Sequence, residues 1–157
     1  MTFSILIIQS TGEHPENKDF RESLSLQRAF IKAGHACDVH DLSSDTLTLS
    51  AYKIIICCEN TYLSKLPDIT TSSALKLYWV IDAHCGRDEE YLQAIAGYDI
   101  ILHSCQSLIS YWQKKAPTKK HWWFPNAYDD ILYSELPIGN TDKTQDVLFL
   151  GNPHNRI

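Results

Sequence analysis

Apolar residues in this chain fall in short unbroken runs, separated by stretches in which they recur at helical spacing, and that rhythm predicts the architecture. Residues 4–9 (SILIIQ) form an isoleucine-rich run, the pattern of a strand buried on both faces. A polar stretch over 10–18, broken by Gly12 and Pro15, leads into a predicted helix over 20–34. There Leu24, Leu26, Phe30 and Ile31 form the apolar stripe, Arg21 and Glu22 stand outside it, and Gly34 is placed to end the helix. Further strands are predicted at 37–42, 52–58 (YKIIICC), 76–81 (KLYWVI) and 99–103 (DIILH), with a short sixth at 121–124. A helix over 87–96 opens with Asp88, Glu89 and Glu90, where the positive end of the helix dipole favours carboxylates. Another, over 107–115, closes with lysines before Pro117, while helical signal between the second and third strands is weak.

Parallel neighbours need crossovers, and helices are the usual ones. Alternating strands and helices therefore predict an α/β fold, a doubly wound, mostly parallel, Rossmann-like sheet with helices on both faces. Residues 1–133 are assigned to this domain. Residues 134–145 turn polar around Pro137, Gly139 and Asn140 and read as a linker or surface crossing. Residues 146–152 (DVLFLGN) then restart the strand-and-glycine pattern, and the chain ends at Ile157. The expectation is that 146–157 begin a second domain whose remainder is missing.

Composition narrows the class. A length of 157 residues suits one domain, and 44 % hydrophobic with 21 % charged residues is ordinary for a globular core. A formal charge of -5 disfavours bulk binding to nucleic acid or anionic lipid. The five cysteines form no CxxC pair and no zinc-finger spacing, so reduced thiols in a cytoplasmic protein are the simplest reading. The first apolar run is too short to span a bilayer, and no membrane span is expected.

In an open α/β sheet, ligands bind beyond the carboxyl ends of the strands, so polar residues just past each strand are the candidates. The first such loop carries Gly12, Glu13, Glu16 and Asn17 before the helix predicted from residue 20, which includes Arg21, a place where free backbone N–H groups suit oxygen-rich ligands; the competing reading is a solvated loop with an N-terminal helix cap. It lacks both the dinucleotide and the P-loop glycine patterns. Glu59 and Asn60 follow the third strand, and Asp82 and His84 follow the fourth, in the densest chemical cluster of the chain. A carboxylate and an imidazole two residues apart can supply a general base and its orienting partner. The competing reading makes Asp82 a helix cap and His84 an exposed side chain. Cys85 beside His84 also permits a thiol nucleophile, although sequence neighbours rarely provide that geometry. Asp82, His84 and His103 show no sign of converging on an ion, and no metal is assigned.

Lys114, Lys115, Lys119 and Lys120, with His121, Trp122 and Trp123, mix cations and aromatics as single-strand nucleic-acid surfaces do. The stronger alternative has the lysines closing a helix, one tryptophan in the core and the other covering an edge, in keeping with the acidic net charge.

Several segments together resemble the N-terminal half of a GT-B glycosyltransferase, in particular the CgeB-like group of bacterial and phage enzymes. They are Glu16-Asn17, Phe20-Arg21-Glu22 with Leu24, Gly34-His35, Tyr78-Trp79-Val80-Ile81-Asp82-Ala83-His84, Trp123-Phe124-Pro125-Asn126-Ala127-Tyr128-Asp129, and Asp146 to Asn152 followed by Arg156. They span nearly the whole chain in family order; each is weak alone, and their combination carries the signal. The resemblance implies a two-domain enzyme whose N-terminal domain receives the acceptor and whose C-terminal domain binds a nucleotide-sugar donor, usually without a bound metal. It implies Asp82 or His84 as base for an inverting transfer, Gly12 and Glu13 near donor phosphates or the transferred sugar, and Asn126 and Asp129 by the interdomain crossing, where turn formation is an equal alternative. The acceptor would be a glycan, a protein or a modified nucleobase. A full second domain needs about 150 residues, so this chain alone is expected to bind no donor or cofactor and to be catalytically incompetent.

The alternative is a stand-alone flavodoxin-like or response-regulator-like binding or regulatory module without catalysis. Gln9 and Ser10 stand where a phosphoacceptor pocket needs acids, and no strand-end lysine takes the complementary role. In a self-contained domain, residues 147–150 should pair into the same sheet. In a severed enzyme they should be peripheral, disordered or swapped into another copy, which would make a homodimer.

Overall fold

The computed structural model describes residues 1–9, 21–41, 47–58, 68–81, 88–127 and 129. Six strands, β1 (Ser4–Gln9), β2 (Ala36–Asp41), β3 (Ile54–Cys58), β4 (Leu75–Val80), β5 (Ile100–His103) and β6 (Lys120–Trp123), form one sheet in the order β2-β1-β3-β4-β5-β6. Every pairing is parallel. Helices α1 (Glu22–Lys32), α2 (Asp88–Ile95) and α3 (Ile109–Lys115) complete the unit, with single 3-10 turns at Leu49–Ala51 and Gln106–Leu108. The fold is the predicted doubly wound α/β sheet, with element ends within two residues of those predicted.

The isoleucine runs form strands here because alternate side chains enter two separate cores. Leu6 and Ile8 of β1, Ile55 and Cys57 of β3, Tyr78 and Val80 of β4 and Ile101 of β5 face α2 and α3, which contribute Tyr91, Ala94, Ile95 and Trp112. Ile5, Ile7, Ile56, Cys58, Leu77, Trp79, Ile100 and Leu102 face the opposite side, where Leu26 and Phe30 of α1 pack. Both faces are thus covered, as parallel sheets require. The edge strand β2 alternates instead, burying Cys37 while Ala36 and Asp38 are exposed.

Two expectations about packing fail. Ile31 is 55 % exposed and leaves the predicted apolar stripe. It follows Phe30, which packs against the core on another side of the helix, near the end of α1 at Lys32. Neither Trp122 nor Trp123 enters the core, each being 53 % exposed. Among the described residues their strand is the other edge, and alternation sends them to opposite faces of it; the buried tryptophans are Trp79 and Trp112.

The end of α1 follows its sequence signal. Gly34 has φ +85°, the N–H of Gly34 donates to the Ile31 carbonyl at 2.9 Å, and that of His35 donates to Phe30 at 2.9 Å. This pair of bonds satisfies carbonyls that a helix end leaves open and needs a left-handed residue, which glycine supplies without strain. A Cβ at position 34 would meet nothing within 4 Å, so Gly34→Ala isolates the backbone cost. We expect Gly34→Ala to lose about 1 kcal/mol of stability in urea unfolding, with an unchanged m-value.

Candidate functional site

All six strands are parallel, so Gln9, Asp41, Cys58, Val80, His103 and Trp123 mark one carboxyl edge. The order reverses between β1 and β3, the switch point where such sheets bind ligands. The residues at that point are Gln9 and Cys58, both on the face beneath the first turn of α1.

Gln9 is a residue whose role the sequence did not reveal. Its side chain is buried at the end of β1, where Nε2 donates to the Glu22 carboxylate at 2.7 Å and Oε1 accepts from the Ser23 N–H at 2.9 Å. Arg21 occupies the N-cap position of α1 without a side-chain cap, and arginine is a poor residue for that role. The cap comes from the neighbouring strand instead. The Leu24 and Ser25 N–H groups turn back to the Arg21 carbonyl at 3.1 and 3.2 Å. The expectation that this helix start offers free N–H groups is therefore corrected at these three positions. A glutamine ending an apolar run, with a Glu-Ser pair at the next helix start, was the available signal, readable only once the two are known to touch.

A strap runs from β6 along the carboxyl edge towards α1. The Phe124 N–H donates to the His103 carbonyl at 2.8 Å, and the Trp79 indole Nε1–H donates to the Phe124 carbonyl at 3.2 Å. The Trp79 and Phe124 rings meet edge to face at 5.1 Å. Farther along, Arg28 of α1 holds Asp129 through Nε at 3.0 Å and through Nη2, and Nη2 also donates to Ser25 Oγ at 3.3 Å. The Asp129 side chain is only 5 % exposed, so its carboxylate positions the strap and does not face solvent. Asn126 lies between the two anchors and is exposed. Arg21 sits half-buried at the α1 entrance.

Of the other candidates, Gly12, Glu13, Glu16, Asn17, Glu59, Asn60, Asp82 and His84 lie outside the described residues, as do Cys85 and the segments 134–145 and 146–157. The structure thus brings Arg21 to the switch point and Asn126 and Asp129 to the strap.

The β5–β6 end holds a second polar cluster. His103, buried at the end of β5, has Nε2 2.9 Å from Nδ1 of His121, and His121 Nε2 lies 3.0 Å from the Ala116 carbonyl oxygen. Burial first, then the neighbouring His121, push the His103 imidazole down to about 4. The Ser104 hydroxyl donates to the carbonyls of Val80, at 3.1 Å, and Ile81, closing the end of β4. The lysines of the basic-aromatic stretch divide between internal and exposed roles. Lys119 Nζ donates to the Ala96 and Tyr98 carbonyls at 2.6 and 2.8 Å, Lys115 pairs with Asp88 at 2.9 Å, and Lys114 and Lys120 are exposed.

The thiols differ in kind. Burial raises Cys37 to about 11 and Cys57 to about 12, and pushes Cys58 well up. Exposed Cys105 moves the other way, because Ser107 and the Leu108 backbone hydrogen-bond to its sulfur; the Ser107 Oγ lies at 3.1 Å.

Comparison of the chain with family models, with curated proteins and with solved structures gives no match.

Two outcomes follow from this geometry. Gln9→Met keeps the volume but leaves the Ser23 N–H without its acceptor, and should cost about 1–3 kcal/mol in chemical denaturation, with hydrogen exchange fastest to rise in the first turn of α1. Limiting iodoacetamide at neutral pH should modify Cys105 well before Cys37, Cys57 or Cys58, as read by peptide mass spectrometry; comparable labelling of Cys57 would contradict the packing described.

Proposed function

We propose that the chain is the acceptor-side domain of a GT-B-type glycosyltransferase, which moves a sugar from a nucleotide-sugar donor to an acceptor hydroxyl or amine on a glycan, a protein or a modified nucleobase. The observation that supports this reading most is the carboxyl edge of the parallel sheet. Strands β1, β3 and β4 end there immediately before the sequence segments that carry Glu13, Glu59 and Asp82 with His84. Phe124 and Asp129, two residues of the Trp-Phe-Pro-Asn-Ala-Tyr-Asp segment that belongs to the resemblance, are held by Trp79 and Arg28 respectively.

In this reading Asp82 takes the proton from the acceptor as its nucleophilic atom bonds to the anomeric carbon, and the bond from that carbon to the nucleoside diphosphate breaks with the electrons leaving on the phosphate. His84 orients the carboxylate or takes the proton in its place. Gly12 and Glu13 approach the donor phosphates or the transferred sugar, Asn126 offers an exposed amide beside the crossing, and Asp129 holds the crossing in place. The donor site itself belongs to a second domain. A reducing, cytoplasmic setting accords with adjacent free thiols at Cys57 and Cys58. No described helix is long and apolar enough to cross a membrane.

One observation favours a second reading. The order 2-1-3-4-5 within this sheet is that of flavodoxin-like folds, which fits a binding module without catalysis. The test is to express the complete reading frame, supply UDP-, GDP- and dTDP-linked sugars with candidate acceptors, and measure nucleoside diphosphate release. Acceptor-dependent release, reduced at least about 100-fold by Asp82→Asn, is expected. No release with any donor, or full activity in Asp82→Asn, favours the binding module or a different base respectively.

A further inference from the structure

Independently of the catalytic reading, the paired imidazoles of β5 and β6 carry a consequence for how the sheet edge is held. A neutral imidazole has one donor and one acceptor nitrogen. His121 Nε2 faces the Ala116 carbonyl oxygen, which only accepts, so that nitrogen carries a proton. His121 Nδ1 is then the acceptor, and His103 Nε2 donates to it across 2.9 Å. Adding one proton to the pair still leaves a single N–H between the rings. Adding a second places an N–H on both facing nitrogens and sets two cations against each other in a buried site. The pair therefore accommodates one added proton and not two.

The other described titratable groups nearby are committed elsewhere or face away. On α3, Lys115 pairs with Asp88, which also accepts from the Tyr111 hydroxyl, and Lys114 is exposed. On α2, Glu89 and Glu90 are exposed. Lys119 is bound to two backbone carbonyls, and Lys120 lies on the opposite face of β6 from His121. On β4, Tyr78 packs edge to face on Tyr98, beside which Cys57 lies. Among the described residues, the charge that acts on His103 is that of His121.

Strand β6 is the element free to yield. Among the described residues it pairs with β5 alone; it exposes Trp122 and Trp123 and leads directly into the strap, whose Phe124 N–H is bonded to His103's own carbonyl. We propose that the His103–His121 pair is an acid-sensitive latch, which holds edge strand β6 and the Phe124 anchor closed near neutral pH and releases both in acid. Release would free Phe124 from Trp79 and so loosen the strap along the carboxyl edge.

The direction follows from linkage. His103 titrates lower in the closed state, at about 4, than its ordinary 6.5, so the open state binds more protons between those values. Closure is fully supported above about 6.5 and is lost progressively as pH falls towards 4. Within that window each unit of pH multiplies the open population about tenfold.

The test is hydrogen exchange of the whole chain between pH 7.5 and 4.5, corrected for intrinsic exchange. Amides of residues 120–124 should lose about tenfold protection per pH unit below about 6.5, while those of β1 and β3 stay protected. In His103→Gln, which can still bond to His121, the β6 profile should become flat. In His121→Gln, whose amide oxygen can accept from a protonated His103, loss should begin at lower pH. Imidazole nitrogen shifts of the unaltered protein decide the matter should either variant not fold: the pair should take up its second proton only as β6 opens. Simultaneous loss of protection in β6 and β1, an unchanged slope in a folded His103→Gln, or two histidines titrating independently near 6.5 would each overturn the latch.

Discussion

A parallel sheet cannot leave a face to water without exposing apolar strands, and that constraint governs most of this molecule. Ile5 to Ile8, Ile55 to Cys58 and Leu77 to Val80 are buried on alternate sides, so both sides need helices and every strand must be reached by a crossover. The crossovers return the chain to the same end each time. Six strand ends are thereby collected on one edge, and any polar residue that follows them is presented together with the others.

Among the described residues, that edge is organised by polar contacts that each satisfy a backbone group as well as joining two elements. Gln9 caps α1 from β1, Trp79 holds the Phe124 carbonyl, and Ser104 serves two carbonyls at the end of β4. Burying an unmet N–H or C=O costs more than a typical hydrogen bond returns, so these side chains define where α1, the strap and the β5 loop can lie.

The fold was legible because the central strands are buried on both faces, which leaves an unbroken apolar run that a helix of similar length rarely shows. The edges were harder. One of Trp122 and Trp123 is expected in the core and the other over an edge, yet among the described residues β6 has a neighbour on one side only and both are exposed. Ile31 fits the helical period and is still exposed. Of the candidate site, Asp129 is implied by the resemblance alone, and its partner Arg28 stands 101 positions away and has no sequence signal of its own. The same holds for His103 and His121, which meet only through the register of β5 with β6. The Asp82 and His84 assignment rests on the sequence and the resemblance, since those residues lie outside the described part of the chain.

The long separation between Arg28 and Asp129 also has a kinetic meaning. A contact that closes so large a loop gains little until the intervening sheet has brought its ends together, since the loop entropy must be met first. The ion pair is therefore expected to form late in folding and to contribute little to the speed of reaching the native state. Its stabilisation falls on the unfolding barrier instead. In a chain otherwise assembled from neighbouring strands, α1 and the strap act as a clasp that closes late and sets how long the finished sheet stays shut.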